Sequence, residues 1–191
     1  MQTSTFIFLG IIVVSITYLI LIYNNLVRLK HNVAQAWSNI DVILKQRHDE
    51  LPKLVNVCQE YMGYEKSTLL DIVKARSAVA SAQQAENIRE LGQAETQLRA
   101  GLGKLFALAE NYPDLKANDS FRHLQSRISG LEDDIADRRE LYNSSVNLNN
   151  VRIEQFPDVL VARWFKFGPF DLLEFDEAEL KDVNIRQLFN S

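Results

Sequence analysis

The chain has 191 residues, with 21 basic and 25 acidic side chains interspersed rather than blocked, so its net charge of −4 offers no surface for a polyanion. Nucleic acid is therefore not an expected partner, and one cysteine, Cys58, excludes an intramolecular disulfide. Glycine (7) and proline (4) are scarce, and three of the four prolines, Pro113, Pro157 and Pro169, fall where apolar periodicity stops, which predicts an all-helical body.

Residues 1–4 form a short tail, and residues 5–25 are expected to cross a bilayer once. The run 6–23, FIFLGIIVVSITYLILIY, carries no charge, and at about 1.5 Å per residue the segment covers a hydrocarbon core of roughly 30 Å. A cleaved signal peptide would need a basic start and a small-x-small cleavage site. Residues 1–5 hold no Lys or Arg and no such site precedes the charged segment, so a retained anchor is expected. The first charged side chains after the run are Arg28 and Lys30, beside His31. The positive-inside rule then places the C-terminal body in the cytoplasm and the N-terminus outside. Cys58 agrees with a reducing compartment and, among Leu54, Val55 and Val57, reads as a small core hydrophobe.

Residues 26–157 are expected to form one helical bundle. A first rod over residues 24–62 follows from Leu26, Leu29, Val33, Ala36, Ile40 and Ile43 in a heptad rhythm. That seam meets Arg47 and Glu50 and resumes at Leu51, Leu54, Val55 and Cys58, with a kink expected at Pro52. The middle section, residues 65–111, reads as helix in two pieces, carrying Leu69 and Val73, then Leu91, Leu98, Leu102 and Leu105, joined by the polar stretch QQAENIRE. A last rod over residues 117–156 carries Phe121, Leu124, Ile128, Leu131, Ile135, Tyr142, Val146 and Ile153, and Pro157 closes it. Since the outer rods are each about 60 Å long, a middle rod of similar length matches them best. The expected architecture is an elongated antiparallel bundle of three long helices, with a four-helix description if the middle one breaks. A tail of aromatic and acidic composition covers residues 158–191.

The stretch from Tyr23, YNNLVRLKHNVAQAWSNIDVILKQRHDELPKLV, resembles the LemA family of bacterial membrane-anchored helical proteins, as do LGKLFALAENYPDLKAND (102–119), Phe121-x-x-Leu124-Gln125, Ile135-Ala136 with Arg139, Tyr142-Asn143, and Arg152-Ile-Glu-Gln-Phe-Pro157. The resemblance covers roughly residues 1–168. Asn149 stands where members often carry tyrosine, and the tail from Phe170 departs from a short acidic ending. The resemblance implies a single-pass protein with its N-terminus outside, a helical body and no established biochemical activity.

Reactive constellations are not evident. There is no Glu-x-x-His pair, no Gly-rich phosphate loop and no Cys/His cluster, so no catalytic residue, metal or cofactor is expected. His48-Asp49-Glu50 cannot converge on one ion, because consecutive helical side chains diverge. Two candidate sites remain. In the first, Arg47 and Arg138 stand at one height of parallel first and last rods, where Glu86 and Glu90 of the middle rod neutralise them and fix the register. The alternative is that both arginines snorkel to the surface. In the second, Arg163, Trp164, Phe165, Lys166, Phe167 and Phe170 suit a membrane interface or a partner groove, against a simpler role as an aromatic strap over the bundle.

The function expected is a non-enzymatic interaction or scaffolding module at the cytoplasmic face of the membrane, held to lipid through residues 5–25 and meeting a protein partner or further copies of itself. A self-assembling structural protein that organises a membrane region is the alternative. A ligand- or metal-binding bundle and an extracytoplasmic sensor stand behind it.

Overall fold

The structure is a computed structural model and describes residues 2–175. In the sequence, residues 174–189 carry a faint amphipathic pattern (Leu180, Val183, Gln187, Leu188) that suits a short docked helix, and those four residues lie outside the described residues. Among the described residues six helices follow in order: α1 (Gln2–Tyr61), α2 (Lys66–Gln84), α3 (Ile88–Ala109), α4 (Pro113–Ala117), α5 (Asp119–Glu154) and α6 (Asp158–Trp164). The described fold is all-α.

α1 is one helix of 60 residues in which the charge-free run passes into the first heptads without a break. It is long and apolar enough to cross a membrane. Every residue from 5 to 21 is exposed, as expected of apolar side chains that meet lipid rather than a protein core. Further along, Val33, Ile40, Leu44, Arg47, Leu51, Leu54 and Cys58 are buried in unbroken steps of three, four or seven. Arg47 is thus a member of the seam and does not interrupt it. The helix also continues through Pro52, which has no N–H for the carbonyl of His48. Nε of Arg76, on α2, donates to that carbonyl at 3.0 Å and takes the place of the missing amide.

The middle section is not a continuous rod. α2 and α3 are separated by Ala85, Glu86 and Asn87 and pack against each other. Glu86 adopts a left-handed φ of 53°, the Glu86 amide donates to Gln83 and the Asn87 amide to Ala82, so α2 ends in a Schellman motif with glutamate where glycine is usual. The Asn87 side chain accepts from the Glu90 amide and starts α3. Two helices of 19 and 22 residues result, and the three-rod expectation gives way to a description with more reversals.

The chain divides into two compact units. Among the described residues, unit 2 comprises residues 40–137 and 173–175. In it, Asp41 meets Gln83 and His48 meets Arg76, so α1 and α2 run in opposite directions. Arg47 meets Glu132, and Tyr61 meets Asn118, the residue that caps the start of α5, so α1 and α5 do too. The first and last long helices are therefore antiparallel here, as three reversals require, rather than parallel. Only parts of α1 and α5 belong to this unit, which is how the two short middle helices find partners of matching length. Its core includes Leu44, Leu51, Leu54, Ile72, Leu91, Leu98, Leu105, Phe121 and Ile128. Cys58 is buried there and its thiol is pushed up to about 12 by burial, which suits a core hydrophobe rather than a nucleophile.

Unit 1 comprises residues 1–39 and 138–172. Ile22 and Leu26 of α1, Ile153 of α5 and Val161 and Ala162 of α6 form its apolar cluster, with Phe167 packed against it. The Trp37 and Tyr142 rings meet in a tilted contact, 5.7 Å between centroids and 59° between planes.

Candidate functional site

In unit 2, Arg47 is 1 % exposed and joins three helices. Its Nη2 donates to Glu95 Oε1 on α3, and its Nη1 donates to Glu132 Oε1 on α5 at 2.5 Å. Arg99, also on α3, holds the other oxygen of Glu132 at 3.3 Å, and its guanidinium lies 5.7 Å from the Phe175 ring. Arg47 Nε and Glu95 Oε2 are buried without a hydrogen-bond partner. Burial works against the charged guanidinium, but Glu95 and Glu132 together outweigh it and hold the Arg47 pKa above the ordinary arginine range. Burial pushes the Glu95 carboxyl up, Arg47 opposes this in part, and the like charge of Glu132 adds to the rise. Glu86, Glu90 and Arg138 are all exposed. The carboxylates that meet Arg47 are Glu95 and Glu132.

This layer does not suit catalysis. Glu95 is fully enclosed, so no substrate can reach its free oxygen, and what the layer does is fasten α1, α3 and α5 at one level. Beside it, Arg76 Nη2 sits 2.6 Å from His48 Nε2, which must accept and so leaves the ring neutral. Burial first, then the Arg76 charge, lower the His48 pKa. Among the described residues no group of His, Cys, Asp or Glu could hold a metal ion.

The aromatic segment lies in unit 1. Arg163, Trp164, Phe165 and Lys166 are exposed, and Phe167 and Phe170 are half-buried. Lys166, at a φ of 59°, closes α6 with a second Schellman motif, in which the Phe167 amide donates to Ala162 at 2.9 Å. That reversal brings Phe165 and Phe167 onto Tyr23 of α1, at 4.7 and 5.8 Å between centroids. Side chains of α5 then hold the following backbone. Asn149, 1 % exposed, donates to the Gly168 carbonyl at 3.3 Å, Asn150 makes two bonds to Phe170 at 2.9 and 3.0 Å, and the Tyr142 hydroxyl donates to the Asp171 carbonyl at 3.0 Å. Tyr142, Asn149 and Asn150 were missing from the sequence-derived candidates. A signal was present, since Asn149 is polar at a seam position between Val146 and Ile153. A cavity of about 340 Å³ opens between Tyr23, Lys30, His31, Phe165 and Lys166.

Comparison with known proteins adds to this geometry. A model described as the LemA family matches residues 36–186. Protein LemA of Metamycoplasma hominis is 28 % identical over 188 residues, covering 97 % of this chain and 84 % of that protein. Magnetosome protein MamQ of Magnetospirillum gryphiswaldense is 26 % identical over 169 residues, and magnetosome protein MamQ 1 of Paramagnetospirillum magneticum is 24 % identical over the same length. The chain spans 62 % of the length of each of these MamQ relatives, which align with 76 % of it.

Proposed function

Since the chain belongs to the LemA family, we propose that it is a membrane-tethered, non-enzymatic module whose helical body recruits or organises proteins beside the bilayer. The observation that carries this reading is the continuity of α1, in which an exposed apolar run and a packed seam belong to one helix. A rigid junction of this kind suits positioning better than turnover. The division at residues 5–25, 26–157 and 158–191 into span, bundle and tail is part of the proposal, as is a cytoplasmic body with the N-terminus outside. Arg28 and Lys30 just past the run support that orientation. Similarity to MamQ, named as a magnetosome protein, supports a protein partner.

Proximity labelling from the C-terminal body in intact cells tests the reading. Repeated capture of the same cytoplasmic membrane-associated proteins is expected, and labelling of extracytoplasmic proteins alone would overturn the orientation. Self-assembly is the second reading, favoured by the broad set of exposed apolar side chains on α5, Leu141, Leu148 and Val151. Recovery of this chain as the dominant labelled species would select it.

A further inference from the structure

The geometry points to a second contact with the bilayer, in which α6 lies in the headgroup layer of the membrane that α1 crosses. α6 is two-faced. Val161 and Ala162 are buried against Ile22, Leu26 and Ile153, while Leu160 and Trp164 are 59 % and 84 % exposed. Phe156, in the turn that leads into α6, is 80 % exposed. Single exposed apolar side chains are ordinary, but three large ones around one short helix make a patch that calls for an occupant.

The depth of α6 identifies that occupant. Ile22 belongs to the charge-free run, and it is the first residue of that run to be covered by protein. From Ile22 to Leu26 the helix rises only about 6 Å. The α6 contacts therefore sit at the level where α1 leaves the hydrocarbon, and the Tyr23 ring between them and Phe165 marks the same height. Exposed cations follow this level: Arg28 and Lys30, about 9 and 12 Å beyond Ile22 along α1, with Arg163 and Lys166 at the end of α6. Basic side chains among aromatic rings are what a phospholipid headgroup layer accommodates, with phosphates on the cations and rings at the acyl boundary. The α6 carboxylate, Asp158, is buried 3.2 Å from Arg152 and does not face that layer, whereas Glu154 stays exposed at the end of α5. The patch is thus continuous with the span and needs no separate partner.

This inference rests on reading residues 5–25 as the span, and one experiment separates the two. The full chain carrying Trp37→Phe, with Trp164 as its sole tryptophan, is placed in bilayers of phosphatidylcholine and phosphatidylglycerol that contain nitroxide-labelled lipids. A label near the headgroup is expected to quench most of the Trp164 emission, roughly two-fold more than a label deep in the acyl chains. Adding Phe156→Ser and Leu160→Ser, both at exposed positions and so without effect on helix content, is expected to abolish most of that quenching. In a parallel chain, Val14→Trp with Trp37→Phe and Trp164→Phe reports on the span through the deep label. If the indole at position 14 stays bright, the span reading fails and this docking with it. If that indole is quenched while Trp164 is equally bright in labelled and unlabelled bilayers, only the docking is overturned. The patch then belongs to a protein partner or a second copy.

Discussion

The two units use the same pair of long helices and complete them differently. In unit 2, α1 and α5 are joined by α2 and α3, and the packing is apolar seam against seam with one ionic layer inside. In unit 1 their neighbour is α6 with residues 165–172 behind it, held largely by side chains of α5 reaching the backbone of Gly168, Phe170 and Asp171. The difference is between elements that bury their own apolar stripes and a strap that is tied down by individual hydrogen bonds. The first kind fails as a unit, whereas the second can loosen locally.

The largest expected break in this contrast is Arg47→Met, which leaves Glu95 buried without its cation. A loss of about 3–5 kcal/mol is expected, read by denaturant unfolding, with amide exchange rising across α3 and not across residues 165–172. Adding Glu95→Met should recover most of that loss, because the cost lies in the unpaired charge. Retention of the full loss in the double variant would show the layer to be needed for its packing shape instead.

Next comes an alkaline transition confined to unit 1. Burial first, then Asp171, push the Tyr142 phenol up to about 12 from an ordinary 10.0. The folded state holds that proton more tightly than the unfolded chain. Its stabilisation, about 3 kcal/mol at most, is therefore complete below pH 10 and lost as pH rises through about 12. Trp37 packs against this ring, so its fluorescence in a Trp164→Phe chain is expected to change with a midpoint near 12. A midpoint near 10 would mean that the strap does not enclose Tyr142.

Asn149→Ala should cost about 1 kcal/mol, loosening residues 168–171 by amide exchange and leaving α2 and α3 unchanged. Smallest is Glu86→Gly, expected to stabilise by about 0.5 kcal/mol, since glycine relieves the left-handed backbone but gains freedom when unfolded. A destabilising result would mean that the glutamate side chain supports the turn.

The apolar run, the all-helical body and the seams were legible in the sequence because each is a local periodicity. The break at Glu86 was less so, since the usual glycine is missing, although Asn87 three residues before Glu90 carries the spacing of a helix start. That one reversal also hid the partner of Arg47. With a continuous middle rod, the carboxylates at its height are those near Glu86, and only the hairpin of α2 and α3 brings Glu95 there. The strap was half legible. Its aromatic composition could be read, but the asparagines that hold it lie on α5, and their targets are backbone amide and carbonyl groups that carry no sequence signal.

Pro52 has a consequence for the order in which the molecule is made. The carbonyl it orphans belongs to His48, and the donor that replaces the missing amide lies 28 residues later in the chain. While the protein is being synthesised, that carbonyl has only water for a partner until Arg76 has left the ribosome. The anchor and the early heptads of α1 can mature on their own, whereas the stretch around Pro52 gains its last internal bond only when α2 folds back onto it. A nascent chain halted before Arg76 should therefore exchange its amides faster just past Pro52 than in the turns before it.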